Sequence, residues 1–373
     1  MRRLLALTSR KPRVLFIVGV ALLLAYVFAK NLYRLSTSQQ SSQPDYTSAR
    51  NSAPYPPAAI GKNVTWTDYA YVQYVTDPSY LCNSLMIFEA LRRHGTRAEL
   101  LMLYPQEWEV PGAVFEDEAD ATDYEGKLLA RARDRYGARL SPIQVQTYEN
   151  KNDTTWQSSY TKLLAFNQTQ YKRVIALDSD GTLFNNMDEL FFLPTSPVAM
   201  PRAYWLDRFY LSSLLVVIEP SVESWQRVQS AMENHEGHDY DMEILNKVFG
   251  DSAIVIPPRR YALLTQTFGH EDAEREAYLG SPSEEWNARK LLEESKFIHF
   301  SDWPLPKPWL KATEKQIAEQ QPPCRSVPEG KSDCTDQEAW LKLRNDFSER
   351  RLRICGRAYD TPVLRSNARS DGD

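Results

Sequence analysis

Arg173-Val174-Ile175-Ala176-Leu177 runs straight into Asp178-Ser179-Asp180. The apolar, β-branched run reads as a strand. Two carboxylates two residues apart on an extended chain point the same way. Asp178 and Asp180 are therefore placed to face one divalent cation at the strand's mouth. Hard carboxylate oxygens suit magnesium or manganese, and such a cation neutralises the charge that builds on a diphosphate leaving group. The competing reading of the pair is an acidic turn that caps a strand, because Asp is common in turns.

A pair of this kind needs a scaffold that gathers strand ends. Tyr69 to Val75 (YAYVQYV) is aromatic and β-branched and reads as a strand, ended by Thr76-Asp77-Pro78. Leu81 to His94 carries Leu85, Ile87, Phe88 and Leu91 at helical spacing. Ala98 to Leu103 reads as a second strand, Tyr124 to Tyr136 as a helix, Ile143 to Val145 as a third strand, and Tyr160 to Phe166 as helical. Strands alternating with helices predict one α/β domain around a mostly parallel, doubly wound sheet. In such sheets ligands bind beyond the carboxyl ends of the strands, where the Asp pair falls.

The 373 residues are 42% hydrophobic and 25% charged, an ordinary globular balance, and the net charge of -5 gives no sign of a nucleic-acid partner. The first thirty residues depart from that average. Val14 to Ala29 is unbroken apolar sequence, with Arg2, Arg3, Arg10, Lys11 and Arg13 before it and Lys30 and Arg34 after it. A cleaved signal peptide shares this pattern, but no small-x-small site closes the run. Residues 14–30 are expected to be a transmembrane signal anchor in the lipid bilayer, with residues 1–13 cytosolic by the positive-inside rule. The span is short, which suits early secretory membranes. Residues 31–62, rich in Ser, Gln and Pro, read as a flexible stem. Sequons begin at Asn63, Asn152 and Asn167. Cys324 and Cys334 could close a small loop, with Cys82 and Cys355 also present; free buried thiols are the open alternative. Gln337 to Arg353 reads as one helix, and the final residues look disordered.

Leu177 to Leu183 (LDSDGTL) resembles the first motif of haloacid dehalogenase-like phosphatases, which would make Asp178 a nucleophile. That motif usually opens its domain, whereas here about a hundred folded residues precede it, and no later acidic pair completes the set.

Five longer segments together resemble glycosyltransferase family 8, the glycogenin-like family, and in particular its fungal Golgi N-acetylglucosaminyltransferase branch. They are AYVQYVTDPSYLCNSLMIFEALRRHGTRAELLMLY, YTKLLAFNQTQYKRVIALDSDGTLFNNMDELFFLP, VAMPRAYWLDRFYLSSLLVVIEPS, HDYDMEILNKVFG and FIHFSDWPLPKPWL. The resemblance implies that residues 63–312 form a single GT-A-type nucleotide-diphospho-sugar transferase domain, with 313–373 a C-terminal extension. It implies a retaining transferase with a UDP-sugar donor, a glycan acceptor and Mn²⁺ (or Mg²⁺), facing the Golgi lumen as a single-pass type II protein.

Residue by residue, the matching positions imply that Asp178, Asp180 and His299 hold the metal. Thr76, Asp77 and Tyr80 would take the base and ribose, with Tyr80 stacking on uracil. Lys162 and Lys307 would meet the diphosphate, and Ser212 would flank the donor sugar. Asp241 would lie close to the transferring sugar. Asn186 and Asp188 match a structural turn. Ser212-Ser213-Leu214 stands where the glycogenin pattern has Asn-Ser-Gly, which argues against reading glucose across from glycogenin; Met242 replaces Gln in the later segment. The resemblance to the fungal N-acetylglucosaminyltransferase branch implies UDP-N-acetylglucosamine as the donor. The alternatives carried forward are the phosphatase and a non-catalytic glycan-binding relative. Each implied residue also has a plainer reading: Tyr80 a half-buried aromatic, Lys162 a solvated lysine, Asp241 a helix N-cap and His299 a core residue.

Overall fold

Side chains along a strand alternate between faces, and strand β1 (Tyr69–Tyr74) divides its apolar residues accordingly. Tyr71 joins one core, while Ala70 and Val72 join another on the opposite face. Strand β4 (Arg173–Leu177) repeats the division, with Ile175 and Leu177 on the first face and Val174 and Ala176 on the second. Burial on both faces is what a covered, mostly parallel sheet requires. The computed structural model describes residues 63–112, 123–147, 158–237, 239–270, 272–327 and 331–360. The anchor, the stem, the Asn152 sequon and the terminal residues after 360 lie outside the described residues. Among those described, no helix is long and apolar enough to cross a membrane.

The other strands are β2 (Glu99–Pro105), β3 (Ala138–Ile143), β5 (Gly181–Leu183), β6 (Val198–Pro201), β7 (Leu215–Ile218), β8 (Ile254–Ile256), β9 (Leu263–Leu264), β10 (Phe297–His299) and a small hairpin, β11 (Arg325–Val327) and β12 (Lys331–Asp333). Besides one short turn of helix at Pro258–Tyr261, the α-helices are α1 (Pro78–Arg93), α2 (Tyr124–Tyr136), α3 (Val222–Glu233), α4 (Asp241–Phe249), α5 (Asp272–Leu279), α6 (Ala288–Glu294), α7 (Glu314–Gln320) and α8 (Thr335–Cys355). Seven strands form the main sheet in the order β3-β2-β1-β4-β7-β6-β8. All neighbours are parallel except β7, which runs against both β4 and β6. Helices α1, α2 and α8 cover one face, and α3, α4 and a 3-10 helix at Ser159–Asn167 cover the other. The α/β expectation holds. A second sheet, β5-β10-β9, stands at the mouth of β4.

Two local readings need correction. The third strand is β3, ending at Ile143, where the sequence suggested it would begin. Pro142 lies within β3, which is an edge strand, where a proline is tolerated. Helix α1 starts earlier than expected, because Pro78 occupies its first turn and the Asp77 side chain accepts from the Ser79 amide at 2.8 Å. The predicted turn at Asn186–Asp188 is present. Asp188 accepts from Tyr71 Oη (2.8 Å) and Thr96 Oγ1 (2.7 Å), and Asn186 Nδ2 donates to the His94 carbonyl at 2.7 Å.

The core does not stop at residue 312. Trp340, Leu343 and Phe347 of α8 belong to the same buried cluster as α1. Arg351 is fully buried and bonds Asp360 (2.6 Å), Asn83 (3.2 Å) and the Ser79 carbonyl (3.0 Å). Both cysteine pairs are disulfides. Cys324–Cys334 closes the small loop, Cys82–Cys355 joins α1 to α8 across 273 positions, and no cysteine is free. A cross-link spanning so much chain restricts the unfolded state strongly. Cys82→Ala with Cys355→Ala is predicted to cost about 2–4 kcal/mol. Thermal unfolding should show a Tm lowered by about 3–6 °C; an unchanged Tm would count against this account of the C-terminal helix.

Candidate active site

Strand β4 ends at Leu177, and the chain bends through Asp178, Ser179 and Asp180 before β5. The sequence suggested an extended Asp-x-Asp. A bend is found because the chain passes here from the main sheet to the small one. The Asp178 amide bonds the Leu214 carbonyl (3.0 Å), and the Asp180 carbonyl accepts from the Phe300 amide (3.0 Å). In the small sheet Gly181 pairs with His299, which carries the imidazole to the acidic pair from more than a hundred residues downstream. Gly181 is required at that crossing. A Cβ there would lie 2.5 Å from Phe297 Cζ and 2.8 Å from the Ile298 carbonyl oxygen.

Ligand-type atoms of Asp178, Asp180 and His299 all lie within 4.8 Å of one another. Two ammonium groups frame them. Lys162 Nζ lies 2.6 Å from Asp178 Oδ1 and 2.7 Å from Asp241 Oδ2, and also donates to the Ser213 carbonyl at 3.2 Å. Lys307 Nζ lies 2.8 Å from Asp180 Oδ2, and His299 Nε2 lies 2.8 Å from Asp180 Oδ1. Tyr74 donates to Asp178 Oδ1 at 3.3 Å.

The electrostatics follow from this sharing. Burial pushes the Lys162 pKa down, but Asp178 and Asp241 outweigh it and hold the ammonium above its ordinary range. Burial pushes Asp178 up; Lys162 opposes that, while Asp180 and Asp241 add to it. Burial also acts on Asp180, but His299 and Lys307 prevail and hold it well below the usual carboxylate range. Burial, then Asp178 and Asp241, push the Tyr74 phenol well up, so Tyr74 remains a donor. Three carboxylates share two ammonium groups, so with a neutral imidazole the cluster keeps one uncompensated negative charge. Two hard oxygens, one imidazole nitrogen and a residual negative charge fit a divalent cation.

No protein-family model matches the chain. It is 46% identical over 297 residues to glucose N-acetyltransferase 1 of Gibberella zeae, covering 78% of this chain and 63% of that relative. It is 42% identical over 320 residues to glucose N-acetyltransferase 1 of Aspergillus fumigatus, covering 81% of both. The chain belongs to the fungal glucose N-acetyltransferase family. A weaker match, 25% over 195 residues, joins half of this chain to 26% of Neurospora crassa glycogenin. The glycogenin-like resemblance is thereby borne out, and family membership leaves the phosphatase reading of LDSDGTL without support.

Of the residues singled out in the sequence, Asp178, Asp180, His299, Lys162, Asp241 and Lys307 come together. Lys162 is buried on the 3-10 helix, not solvated. Asp241 is the first residue of α4, and Tyr240 is the N-cap, so the Asp241 carboxylate is free to face Lys162. Thr76 and Asp77 follow β1, and Tyr80 on the first turn of α1 packs edge-on against Trp309 at 5.4 Å. Burial, then Asp180 and Asp77, raise the Tyr80 pKa. Ser212 is buried, its hydroxyl accepting from the Leu214 amide within its own loop. Its neighbour Ser213 is the serine that touches Lys162. Ser213, Tyr74 and Trp309 were missed; for Tyr74, its place near the carboxyl end of β1 was the available signal.

Gly181→Ala is predicted to cost about 1–3 kcal/mol through forced displacement of β10. Thermal unfolding checks it: the variant should lose stability, and an unchanged Tm would count against the close crossing at Gly181. Lys162→Met leaves two facing buried carboxylates without their ammonium, a change expected to cost about 3–5 kcal/mol. A Lys162→Met protein as stable as the parent in urea titrations would refute the charge-sharing account.

Proposed function

We propose that this chain is a retaining, metal-dependent glycosyltransferase of GT-A type that moves N-acetylglucosamine from UDP-N-acetylglucosamine to a secretory-pathway glycan. The observation that carries this reading is the convergence of Asp178, Asp180 and His299 beyond the end of β4, framed by Lys162 and Lys307. The relatives' name, which couples glucose with an N-acetyl group, supports the choice of sugar.

Asp178, Asp180 and His299 would hold the cation, and the imidazole nitrogen favours manganese over magnesium. Bound there, it supplies charge neutralisation on the diphosphate. Thr76, Asp77 and Tyr80 line the adjoining rim for uridine, with the Tyr80 ring offered to the base. Lys307 supplies a second positive charge, a mobile ammonium that leaves Asp180 for a phosphate oxygen when donor binds. Ser212 shapes the loop beside the donor sugar. Asp241 stabilises positive charge at the anomeric carbon. Its carboxylate is already tied to Lys162 at 2.7 Å, which makes it a weak nucleophile and favours attack on the same face as the departing phosphate. That path retains configuration without a covalent enzyme intermediate.

The same reading places the domain in the Golgi lumen behind a type II anchor at residues 14–30. All four cysteines are paired, as an oxidising compartment requires. Asn63 and Asn167 of the sequons are exposed, as glycosylation requires.

UDP release by the purified full chain, offered a panel of UDP- and GDP-sugars with Mn²⁺ or with chelator, tests the proposal. Mn²⁺-dependent release from UDP-N-acetylglucosamine, lost by at least about a hundredfold in Asp180→Ala, is the expected result. Full activity of Asp180→Ala would sink the metal assignment, and release from a different sugar alone would replace the donor.

A further inference from the structure

Trp303 is 88% exposed, more than any other exposed large hydrophobic among the described residues. Tryptophan is on average among the more buried side chains, so its presentation to water needs a reason. The loop beneath it is not slack. The neighbouring Asp302 carboxylate accepts from Thr265 Oγ1 at 2.7 Å and from Trp340 Nε1 at 2.8 Å, and faces Arg344 at 3.7 Å. The Leu305 amide bonds the Asp302 carbonyl at 2.8 Å, and its side chain is buried. An apolar ring is thus held out on a braced tip.

The position of that tip matters. Trp303 lies four residues after His299 and four before Lys307. Four residues span at most about 14 Å of extended chain, so the Trp303 Cα lies within that distance of both site residues' Cα atoms. The polar neighbours in the loop are turned inward: Asp302 onto Thr265 and Trp340, and Lys307 onto Asp180. The exposed groups left at the tip are the indole and the adjoining Pro304 ring, neither of which carries a charge. A pyranose carries a face of C–H bonds that matches an aromatic plane, and its hydroxyls stay in water around the edge. The donor-side groups Tyr80 and Lys162 are half-buried and buried, respectively, whereas an acceptor glycan arrives from solvent and leaves its outer rings there.

We infer that Trp303 is an acceptor-binding platform, its indole face stacking on a neutral pyranose ring of the acceptor glycan. The inference rests on the transferase reading above, and the experiment separates the two. The full chain, Trp303→Phe and Trp303→Ala are compared first for UDP-N-acetylglucosamine hydrolysis without acceptor. They are then compared for transfer to mannobiose, maltose and lactose, with intrinsic fluorescence followed as each sugar is titrated. Hydrolysis should be the same in all three proteins. The acceptor KM of Trp303→Ala should rise about tenfold, the loss of one stacked ring. Trp303→Phe should fall between, with kcat little changed. The parent's fluorescence should respond to the accepted sugar, and that of Trp303→Phe much less.

Equal acceptor KM in parent and Trp303→Ala overturns the platform and leaves the transferase reading standing. So does a parent that hydrolyses donor while none of the three sugars is accepted or changes its fluorescence. A parent that hydrolyses no UDP-N-acetylglucosamine overturns the reading on which the platform rests.

Discussion

One buried ammonium organises this site. Lys162 stands between Asp178 and Asp241, which come from the end of a central strand and the start of a helix on one face of the sheet. Without it, two carboxylates would face each other with little water to screen them, an arrangement that proteins avoid by neutralising one of them. With it, the two carboxylates share one ammonium, Lys162 Nζ lying 2.6 Å from Asp178 and 2.7 Å from Asp241. One cation between two anions cannot satisfy both, and Asp178 retains a raised pKa through burial despite its partner. The unsatisfied remainder is the electrostatic demand that suits the cluster to a divalent ion.

The scaffold meets that demand by bringing two sheets together at one bend. The main sheet delivers Asp178; the small sheet delivers His299 beside Gly181; the chain between delivers Asp180. Helix α8 then braces the assembly from behind. Arg350 reaches Thr182 Oγ1 (3.0 Å) in β5 and Glu89 (3.1 Å) in α1, while Arg351 and the Cys82–Cys355 disulfide fix the first half of α1. The helix that carries Tyr80 and the strand that follows Asp180 thus share one support.

What could be read in the sequence depended on how local the signal was. The Asp pair announced itself because two carboxylates follow an apolar strand directly. The bend between them did not, because it is set by the small sheet, whose partner strand lies far along the chain. His299 was legible only through family resemblance, since a histidine in apolar sequence carries no sign of what it faces. Helix α8 was legible as a helix but not as part of the core: Arg350 and Arg351 look like ordinary surface charge until Glu89, Asn83 and Asp360 are beside them. β3 was placed too far along the chain; it contains Pro142, which only an edge position tolerates, and edge position is a property of the sheet and not of the strand. Ser213 meets Lys162 mainly through its backbone carbonyl (3.2 Å), with its hydroxyl at 3.5 Å, and a backbone contact is something no side-chain pattern can reveal.

The bracing of α1 by α8 also orders events during synthesis. Cys82 and Cys355 are 273 positions apart, and at ordinary elongation rates the ribosome needs on the order of tens of seconds to cover that distance. Through that interval α1 has no Arg351 at its Ser79 carbonyl and no sulfur partner for Cys82. The side of the site carried by α1 is therefore among the first parts of the domain to be made and among the last to be secured. Any chain that ends before residue 355 lacks the means to secure it.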